Sequence, residues 1–392
     1  MEANVEGKAV LVMLKTNVHD RIMYKVKMDE LRHLVETLGI EVKRDFVQSR
    51  RRPYAKFQIG SGKVKEIAKY IRRHEINLVV VYHNLRSSQK LNLIKAFGCD
   101  VVDRYEITLE IFDKMSSDNL SKLQIDSARL RKLAPYYKLE ASLRYHNDRP
   151  FFRSSGEYGF HAQMRDITKR QARLKKEIEA LVKENKQRID KRKKLGLPTI
   201  CISGYYNAGK TSVFNALTGD DKLVSDRPFT TLSSKYQRRF VDHTTTLLFI
   251  DTIGFVIDLD HNLIKSFQLN LEDMRQADLI MLLLDITDSL LTLQIKLAEG
   301  IRLLKNLDIP HKKIYVVFNK IDLPHEDFEI IKEKIGLESY GLPWFMVSAK
   351  DRTNINEMLF SLKDRIIQIN EEESILLQED LGKPESRVVE DT

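Results

Sequence analysis

Residues 204–211 read GYYNAGKT and match the phosphate-loop pattern G-x-x-x-x-G-K-[ST]. The apolar run 199–203 precedes this segment and a helical pattern at 212–217 follows it. A loop between a strand and a helix can point backbone N–H groups and the positive end of the helix at a phosphate. The sequence therefore predicts an α/β domain that binds a nucleotide.

Each position of the loop has its own expected role. Gly204 and Gly209 allow unusual backbone angles and a close approach of the phosphates. Lys210 is expected to reach the β- and γ-phosphate oxygens and to act in catalysis, while the Thr211 hydroxyl ligates Mg²⁺. The predicted phosphate-binding set is completed by Tyr205, Tyr206, Asn207, Ala208 and Ser212.

A second motif indicates the base. Residues 319–322 read NKID and follow the apolar run 314–318, so they lie at the carboxyl end of a strand. The Asp322 carboxylate can accept two hydrogen bonds from guanine, whereas adenine offers no such pair of donors. GTP is thus the predicted substrate, and the site is expected to include Asn319, Lys320, Asp322 and a loop over the base formed by Ser348, Ala349 and Lys350.

Two further segments are predicted to sense the γ-phosphate. Residues 251–254 follow the apolar run 246–250; here Asp251 is expected to hold Mg²⁺ through water and the Gly254 N–H to face the γ-phosphate, with Thr252 and Ile253 between them. The polar stretch 226–232 reads as the other switch. In it Thr231 is the predicted Mg²⁺ ligand and catalytic threonine, Thr230 is the alternative, and Phe229 adjoins the nucleotide.

Two residues bear on the rate of hydrolysis. Phe255 stands where Ras-like switches carry a glutamine that positions water, and an aromatic ring cannot orient water by hydrogen bonding. Slow intrinsic hydrolysis is therefore expected, accelerated by a partner, by a monovalent cation, or by both. Asn207 resembles the asparagine of potassium-activated GTPases and is a candidate K⁺ ligand; a plain turn residue is the alternative.

Composition indicates an intracellular protein. The 392 residues, 42% of them hydrophobic, suffice for two or three domains. The two cysteines, Cys99 and Cys201, lie far apart, which favours neither a disulfide framework nor a zinc site. The amino terminus lacks a signal pattern, and the apolar run 279–284 is too short to cross a bilayer and suits a buried strand. A cytoplasmic monomer without a transmembrane segment is expected.

A net charge of +9 suggests an anionic partner. Residues 165–194 are dense in Lys and Arg and carry an apolar stripe at helical spacing, formed by Ile167, Leu174, Ile178 and Leu181. A second stripe consists of Leu120, Leu123, Ser127, Leu130 and Ala134. The two predict an antiparallel helical hairpin whose outer face presents Lys169, Arg173, Lys176, Lys191, Arg192, Lys193 and Lys194; a merely solvated charged helix is the alternative.

The first hundred residues alternate between strand and helix patterns and predict a small βαβ domain. Its expected elements cover residues 9–14, 29–38, 63–73, 76–82, 88–97 and 99–102. Residues 50–57 mix arginines with Tyr54 and Phe57, as nucleic-acid contacts do and as ordinary surfaces also do. Residues 60–63 read GSGK, which indicates a turn that caps the next helix rather than a phosphate loop.

Up to about residue 370 the chain resembles the HflX family of translational GTPases. The resemblance rests on the segments QSRRRP at 48–53, IGSGKV at 59–64, LRSSQ at 85–89, GYYNAGKT at 204–211, FTTL at 229–232 and DTIGF at 251–255. It implies a GTPase that binds the large ribosomal subunit and its rRNA and takes part in ribosome splitting or rescue. The glycine-rich tip of the family's hairpin is replaced here by SSGEYGFH at 154–161, so the contact made by this tip must differ.

The predicted architecture is α/β, with a P-loop GTPase domain of five or six mainly parallel strands preceded by a small βαβ domain and an antiparallel helical hairpin. The expected boundaries are 1–115, 116–196 and 197–370, followed by an acidic, disordered tail at 371–392. The leading functional hypothesis is a GTP-driven ribosome factor. The alternatives are a GTP-timed switch that docks to a membrane surface or a protein through its basic helix, and a binding module with GTP as a structural ligand.

Overall fold

The computed structural model describes residues 7–116, 119–147, 155–194, 196–219, 235–252, 254–255 and 268–381. These residues form two compact units. The first consists mainly of residues up to Arg188, and the second of most residues from Ile189 onward.

The first unit is built on a parallel four-stranded sheet in the order β2-β1-β3-β4. Its strands are β1 Lys8–Lys15, β2 Glu41–Ser49, β3 Leu78–Val81 and β4 Asp100–Asp103. Its helices are α1 Met23–Thr37, α2 Ser61–His74, α3 Ser87–Phe97, α4 Arg104–Met115, α5 Asn119–Asn147 and α6 Ser155–Lys194 (whose last six residues belong to the second unit). The small α/β domain expected from the sequence is thereby confirmed.

Strand β2 was not predicted, and its side chains explain why. It lies at the sheet edge, and of its nine residues only Phe46 is fully buried. The inner strand β1 is an apolar run from Ala9 to Leu14, with both faces covered. An edge strand rich in charged residues lacks that signal.

Helix α5 buries a different face from the predicted stripe. Leu123 and Leu130 are only half-buried, whereas Gln124, Ile125 and Ala128 are fully buried, and α5 packs against α3 and α4. The stripe lies beside the buried face because a helix turns by about 100° per residue. One ion pair between Arg170 and Asp126, at 3.5 Å, joins α6 to α5.

The second unit contains a six-stranded sheet in the order β10-β9-β8-β5-β7-β6, parallel except for β6 at the edge. Its strands are β5 Thr199–Gly204, β6 Lys235–Phe240, β7 Thr246–Asp251, β8 Leu279–Asp285, β9 Ile314–Asn319 and β10 Trp344–Val347. Its helices are α7 Lys210–Thr218, α8 Gln268–Gln276 (whose first residues belong to the first unit), α9 Leu290–Asn306, α10 Phe328–Ile335 and α11 Ile355–Leu381. The predicted mainly parallel GTPase sheet is confirmed.

The core of this sheet lies between the central strands and the helices α7 and α11, where residues such as Phe214, Phe249 and Leu362 are buried together. All seven residues of β8 are buried, as the apolar run predicts. Within the described part of the chain, no helix is long and apolar enough to cross a membrane.

The expected end of folded structure at residue 370 is wrong. Helix α11 continues to Leu381; Glu371 and Glu372, which suggested disorder, are exposed and follow turns of the helix that Ile366 and Ile369 anchor in the core. Residues 382–392, the remainder of the predicted tail, lie outside the described residues.

Candidate nucleotide site

The loop between β5 and α7 can be formed only with glycine at two positions. Gly204 has a φ of +141°, and a Cβ atom there would lie 2.4 Å from the carbonyl oxygen of Leu283, because β5 and β8 are neighbours. Gly209 has a φ of +85°, and its Cβ would lie 2.2 Å from Nδ2 of Asn319. The chain therefore turns sharply into α7, and the amino-terminal end of a helix is a position that favours an anion.

Lys210 is held inside this loop. Its Nζ donates to the carbonyl of Tyr205 at 2.7 Å, and the N–H of Ala208 approaches the same oxygen at 3.3 Å. Burial lowers the pKa of Lys210 to about 8; Asp251 acts in the opposite direction, and Lys296 lowers the pKa further. The ammonium group can exchange the Tyr205 carbonyl for phosphate oxygens without leaving the loop.

The first residue of α7 after this lysine meets the end of β7. Thr211 donates from its hydroxyl to Oδ2 of Asp251 at 3.0 Å, and both residues are buried. Thr252 turns the other way, since its hydroxyl donates to the carbonyl of Ile202 at 2.8 Å. Its side chain therefore fixes the backbone just after β7 to the neighbouring strand β5.

Asn319 connects the phosphate loop with the loop after β10. Its Nδ2 donates to the carbonyl of Ala208 at 2.9 Å, and its Oδ1 accepts from the N–H of Ala349 at 3.1 Å. Asn319 is 2% exposed. Its side chain holds the two loops together, and the second N–H of Nδ2 and the second lone pair of Oδ1 are not used by these two bonds.

Asp322 is oriented from the same loop. Its Oδ1 accepts a hydrogen bond from the Ser348 hydroxyl at 2.7 Å, and the Ser348 oxygen accepts from the N–H of Asp351 at 3.1 Å. Lys320 forms an ion pair of 2.6 Å with Asp285, the last residue of β8. The half-buried Asp322 carboxylate keeps oxygen lone pairs for a ligand, because the serine occupies only one direction.

The other residues predicted to form the nucleotide site differ in how far their side chains are exposed to solvent. Tyr205 and Ala208 are buried, Tyr206 and Ser212 are half-buried, and Asn207 is exposed with a φ of +61°. Lys350 is exposed, and Gly254 and Phe255 are buried. Four predicted residues lie outside the described part of the chain: Phe229, Thr230, Thr231 and Ile253.

Comparison with protein families agrees with this geometry. A family model described as "GTP-binding GTPase N-terminal" matches residues 25–113, and one described as "50S ribosome-binding GTPase" matches residues 199–320. The GTPase HflX of Thermofilum pendens is 35% identical over 331 residues, which cover 84% of this chain and 78% of that protein. The chain belongs to the HflX family of GTPases.

Other similarities extend over more of the chain. The GTPase HflX of Caldanaerobacter subterraneus is 29% identical over 375 residues, covering 95% of this chain and 84% of that protein. The crystal structure of an SsGBP and GDP complex matches with a TM-score of 0.51 and 24% identity, over 92% of this chain and 98% of that chain, and supports the fold. As an HflX-family GTPase, the chain binds GTP and hydrolyses it to GDP and phosphate.

The sequence motifs of this HflX-family protein miss one group of charged residues near the phosphate loop. Asp285 ends the buried strand β8 and Asp288 follows it, and Lys296 projects from α9 to form a 2.5 Å ion pair with Asp288. Polar residues directly after a buried parallel strand are a signal for a site at that edge of the sheet. Lys296 could not be found in this way, because nothing in the α9 sequence indicates where its side chain points.

Proposed function

We propose that this chain is a cytoplasmic, GTP-driven factor that binds the large ribosomal subunit through rRNA and takes part in ribosome splitting or rescue. The "50S ribosome-binding GTPase" description of the family matched at residues 199–320 supports this proposal. In it, the regions 1–115 and 116–196 carry the RNA contacts and 197–370 carries GTP. Nucleotide state changes the affinity for RNA because the two states differ in their contacts with the switches.

The observation that carries the proposal is a small exposed turn after β2. The backbones of Tyr54 and Gln58 exchange two hydrogen bonds that close the turn. The Arg50 guanidinium lies 5.4 Å from the Tyr54 ring centroid, and the Lys56 ammonium lies 5.3 Å from that of Phe57. Cations stacked on aromatic rings, with Arg51 also exposed, suit contact with both phosphates and bases of single-stranded RNA.

Helix α6 adds a second basic surface. Among its described side chains, the exposed cations are Arg165, Lys169, Arg170, Arg173, Lys175, Lys176, Lys183, Lys186, Arg188, Lys191 and Lys194. The side chains of Arg192 and Lys193, also predicted to face outward, lie outside the described part of the chain. The exposed acids of this helix are fewer, so the surface favours an anionic partner.

The donor chemistry at the end of β7 fits Mg²⁺. The Thr211 hydroxyl and the Asp251 carboxylate lie 3.0 Å apart, and both are hard oxygen ligands. We assign Thr211 and Thr231 as direct ligands and Asp251 as a ligand through water. Bound Mg²⁺ would neutralise charge on the β- and γ-phosphates. Lys210 would supply a second positive charge, and the Gly254 N–H would bind the γ-phosphate.

We further propose that intrinsic hydrolysis is slow. The Phe255 ring, which follows the Gly254 position, is buried and offers no hydrogen bond to water. Asn207 lies exposed at the tip of the phosphate loop, where its side-chain oxygen is available to a K⁺ ion. We propose that K⁺, the ribosome, or both accelerate the reaction.

Docking to a membrane through α6 has less support. A helix that lies on a membrane needs an exposed apolar face. The described side chains of α6 include no exposed large apolar residue. The ribosome is therefore the favoured partner, and lipid binding becomes an outcome of the test.

Cosedimentation with large ribosomal subunits tests the proposal. Binding is measured over a salt series with a non-hydrolysable GTP analogue and with GDP, and we expect tighter binding with the analogue. The variant R50E/R51E should bind at least about tenfold more weakly and with a smaller salt slope, since each lost phosphate contact reduces the slope by about one. Arg302→Glu, a charge reversal on exposed α9, is the matched control. Binding to anionic vesicles and none to subunits would contradict the proposal.

A further inference from the structure

A second buried lysine lies beside a residue of the phosphate loop. Lys296, in α9, is 9% exposed. Its Nζ lies 2.5 Å from Oδ2 of Asp288 and 5.8 Å from the centroid of the Tyr205 ring. Tyr205 is itself 2% exposed and is the second residue of the phosphate loop. The lysine therefore contacts the loop through the ring of Tyr205.

Lys296 is an unusual choice for this place. An ammonium group loses hydration on burial and is stable there only with a partner. In addition, the charge of Lys296 lowers the pKa of Lys210 beyond the larger effect of burial. A leucine or methionine would fill the same space without bringing a second positive charge near the first. We therefore expect the buried ammonium group of Lys296 to have a role other than packing.

Asp288 fixes the lysine to the strand that borders the loop. Its backbone N–H donates to the carbonyl of Asp285 at 3.2 Å, and Asp285 in turn accepts hydrogen bonds from Thr287 and an ion pair from Lys320. The carboxylate of Asp288 is thus held by a compact turn at the carboxyl end of β8. Lys296 then joins this turn to the ring of Tyr205.

The Tyr205 carbonyl has a central place in the loop. It accepts from both Lys210 and Ala208, so the orientation of residue 205 decides where the ammonium of Lys210 and the loop N–H groups point. The ring of Tyr205 is 2% exposed and is contacted by Lys296, and close packing of a buried ring restricts its movement and that of the backbone that carries it. Preorganised donors bind an anion better because they do not need to reorder.

We propose that Lys296 is a positioning residue for the phosphate loop. Held by Asp288, it supports the Tyr205 ring and so keeps the loop in the shape that binds the β-phosphate. This inference rests on the proposed phosphate-binding role of Lys210 and the loop. It adds a specific consequence, namely that Lys296 contributes to the binding of GDP and GTP but not to that of GMP, which has no β-phosphate.

The test compares GDP and GMP affinities of the full-length protein by calorimetry or by competition with a fluorescent guanine nucleotide. In the variant Lys296→Met, GDP affinity should fall about tenfold while GMP affinity stays within twofold. Lys296→Arg keeps the charge and can pair with Asp288, so it should restore most of the GDP affinity. Arg302→Met, on the exposed side of the same helix, is the matched control and should behave as wild type.

Two further variants separate positioning from folding. Tyr205→Leu removes the ring but leaves the ion pair, and should produce the same GDP-selective loss; adding Lys296→Met to it should cause little further loss. Asp288→Asn leaves the lysine buried without a counter-ion and should weaken GDP binding more than Lys296→Met does. Thermal unfolding of each variant identifies any that fail to fold. If Lys296→Met or Asp288→Asn fails to fold, the inference is judged by the GDP and GMP affinities of Tyr205→Leu and Lys296→Arg.

The outcomes are distinguishable. If wild-type protein binds GDP no better than GMP, the proposed phosphate site itself is wrong. If wild type prefers GDP but Lys296→Met keeps that preference, or loses GDP and GMP affinity equally, the positioning role of Lys296 alone is overturned. Selective loss of GDP affinity with rescue by arginine supports it.

Discussion

Asn319 donates a hydrogen bond across 2.9 Å to the carbonyl of Ala208, and through it the guanine motif is tied to the phosphate loop. The same side chain accepts from Ala349, so three loops from separate strands meet at one amide. The two ends of the proposed nucleotide site are consequently coupled even though the residues are far apart in sequence.

Replacing Asn319 with Ala should affect stability and binding together. It leaves the Ala208 carbonyl and the Ala349 N–H without their partner, at a cost of about 1–3 kcal/mol for a buried group. GDP affinity should fall because both loops lose their support. Chemical denaturation and GDP titration measure the two effects, with exposed Asn306→Ala as the control. Wild-type GDP affinity in the Asn319 variant would contradict the coupling.

Asp322 and Ser348 should have graded effects on guanine recognition. Asp322→Asn replaces one acceptor oxygen with a donor, so hydrogen bonds to a charged group are lost, each worth about 1.5–3 kcal/mol. Affinity for GDP should fall by roughly a hundredfold and the preference over ADP should shrink. Ser348→Ala removes only the 2.7 Å bond that orients the carboxylate and should cost about tenfold. Competition between GDP and ADP for each variant checks this order; a larger loss in the serine variant would reverse the assignment.

Replacing Gly204 with alanine should lower the free energy of unfolding, whereas replacing Gly62 with alanine should raise it. At Gly204 the new methyl would lie 2.4 Å from the Leu283 carbonyl with a φ of +141°, and the expected loss in the free energy of unfolding is about 3 kcal/mol. Gly62, on the exposed side of α2, has open space around its Cβ position, so alanine there should stabilise by about 0.4–1 kcal/mol. Denaturant unfolding followed separately for the two units compares them. Equal effects at both glycines would contradict this reading of the loop.

The motifs around the nucleotide were predictable because each is continuous in sequence. Residues 204–211 and 319–322 carry their own strand and turn context, and the structure brings Thr211 to Asp251 and Asp322 to Ser348. Their binding roles stay predictions, as does that of Thr231.

Contacts formed by folding were not predictable. The pair of Asp288 and Lys296 depends on how far α9 rotates over β8, which no local pattern specifies. Asn319 was expected in the guanine site, which stays a prediction, and its two hydrogen bonds to Ala208 and Ala349 were not foreseen. The polar edge strand β2 was missed for the same reason, since its neighbours rather than its own residues make it a strand.

Cys99 should react slowly with thiol reagents at neutral pH. Burial, and secondarily the neighbouring Asp100 carboxylate, raise the pKa of Cys99 to about 11. Since the thiolate is the reactive form, the rate should rise about tenfold per pH unit and continue to rise at pH 10, where that of free cysteine has levelled off. Iodoacetamide labelling followed by peptide mass spectrometry distinguishes Cys99 from the fully buried Cys201, which should label only after unfolding. A plateau below pH 9 at Cys99 would contradict the shift.

Substitution of Asn207 can distinguish between its two possible roles, as a K⁺ ligand and as a turn residue. Its φ of +61° is costly for most residues but not for glycine, so Asn207→Gly keeps the backbone of the loop and removes only the side-chain oxygen. If that oxygen binds K⁺, wild-type turnover should be faster in KCl than in NaCl, and the glycine variant should lose the difference.

The control is nucleotide affinity, which Asn207→Gly should leave within about threefold of wild type because the backbone N–H groups remain in place. Asn207→Ala, which strains the loop, should instead weaken GDP binding. GTP turnover in KCl and in NaCl, together with the GDP affinity from titration, is measured for the wild type and both variants. Equal turnover of the wild-type protein in K⁺ and Na⁺ would leave Asn207 as a turn residue, and acceleration would then have to come from the partner that binds the basic surfaces of the first unit.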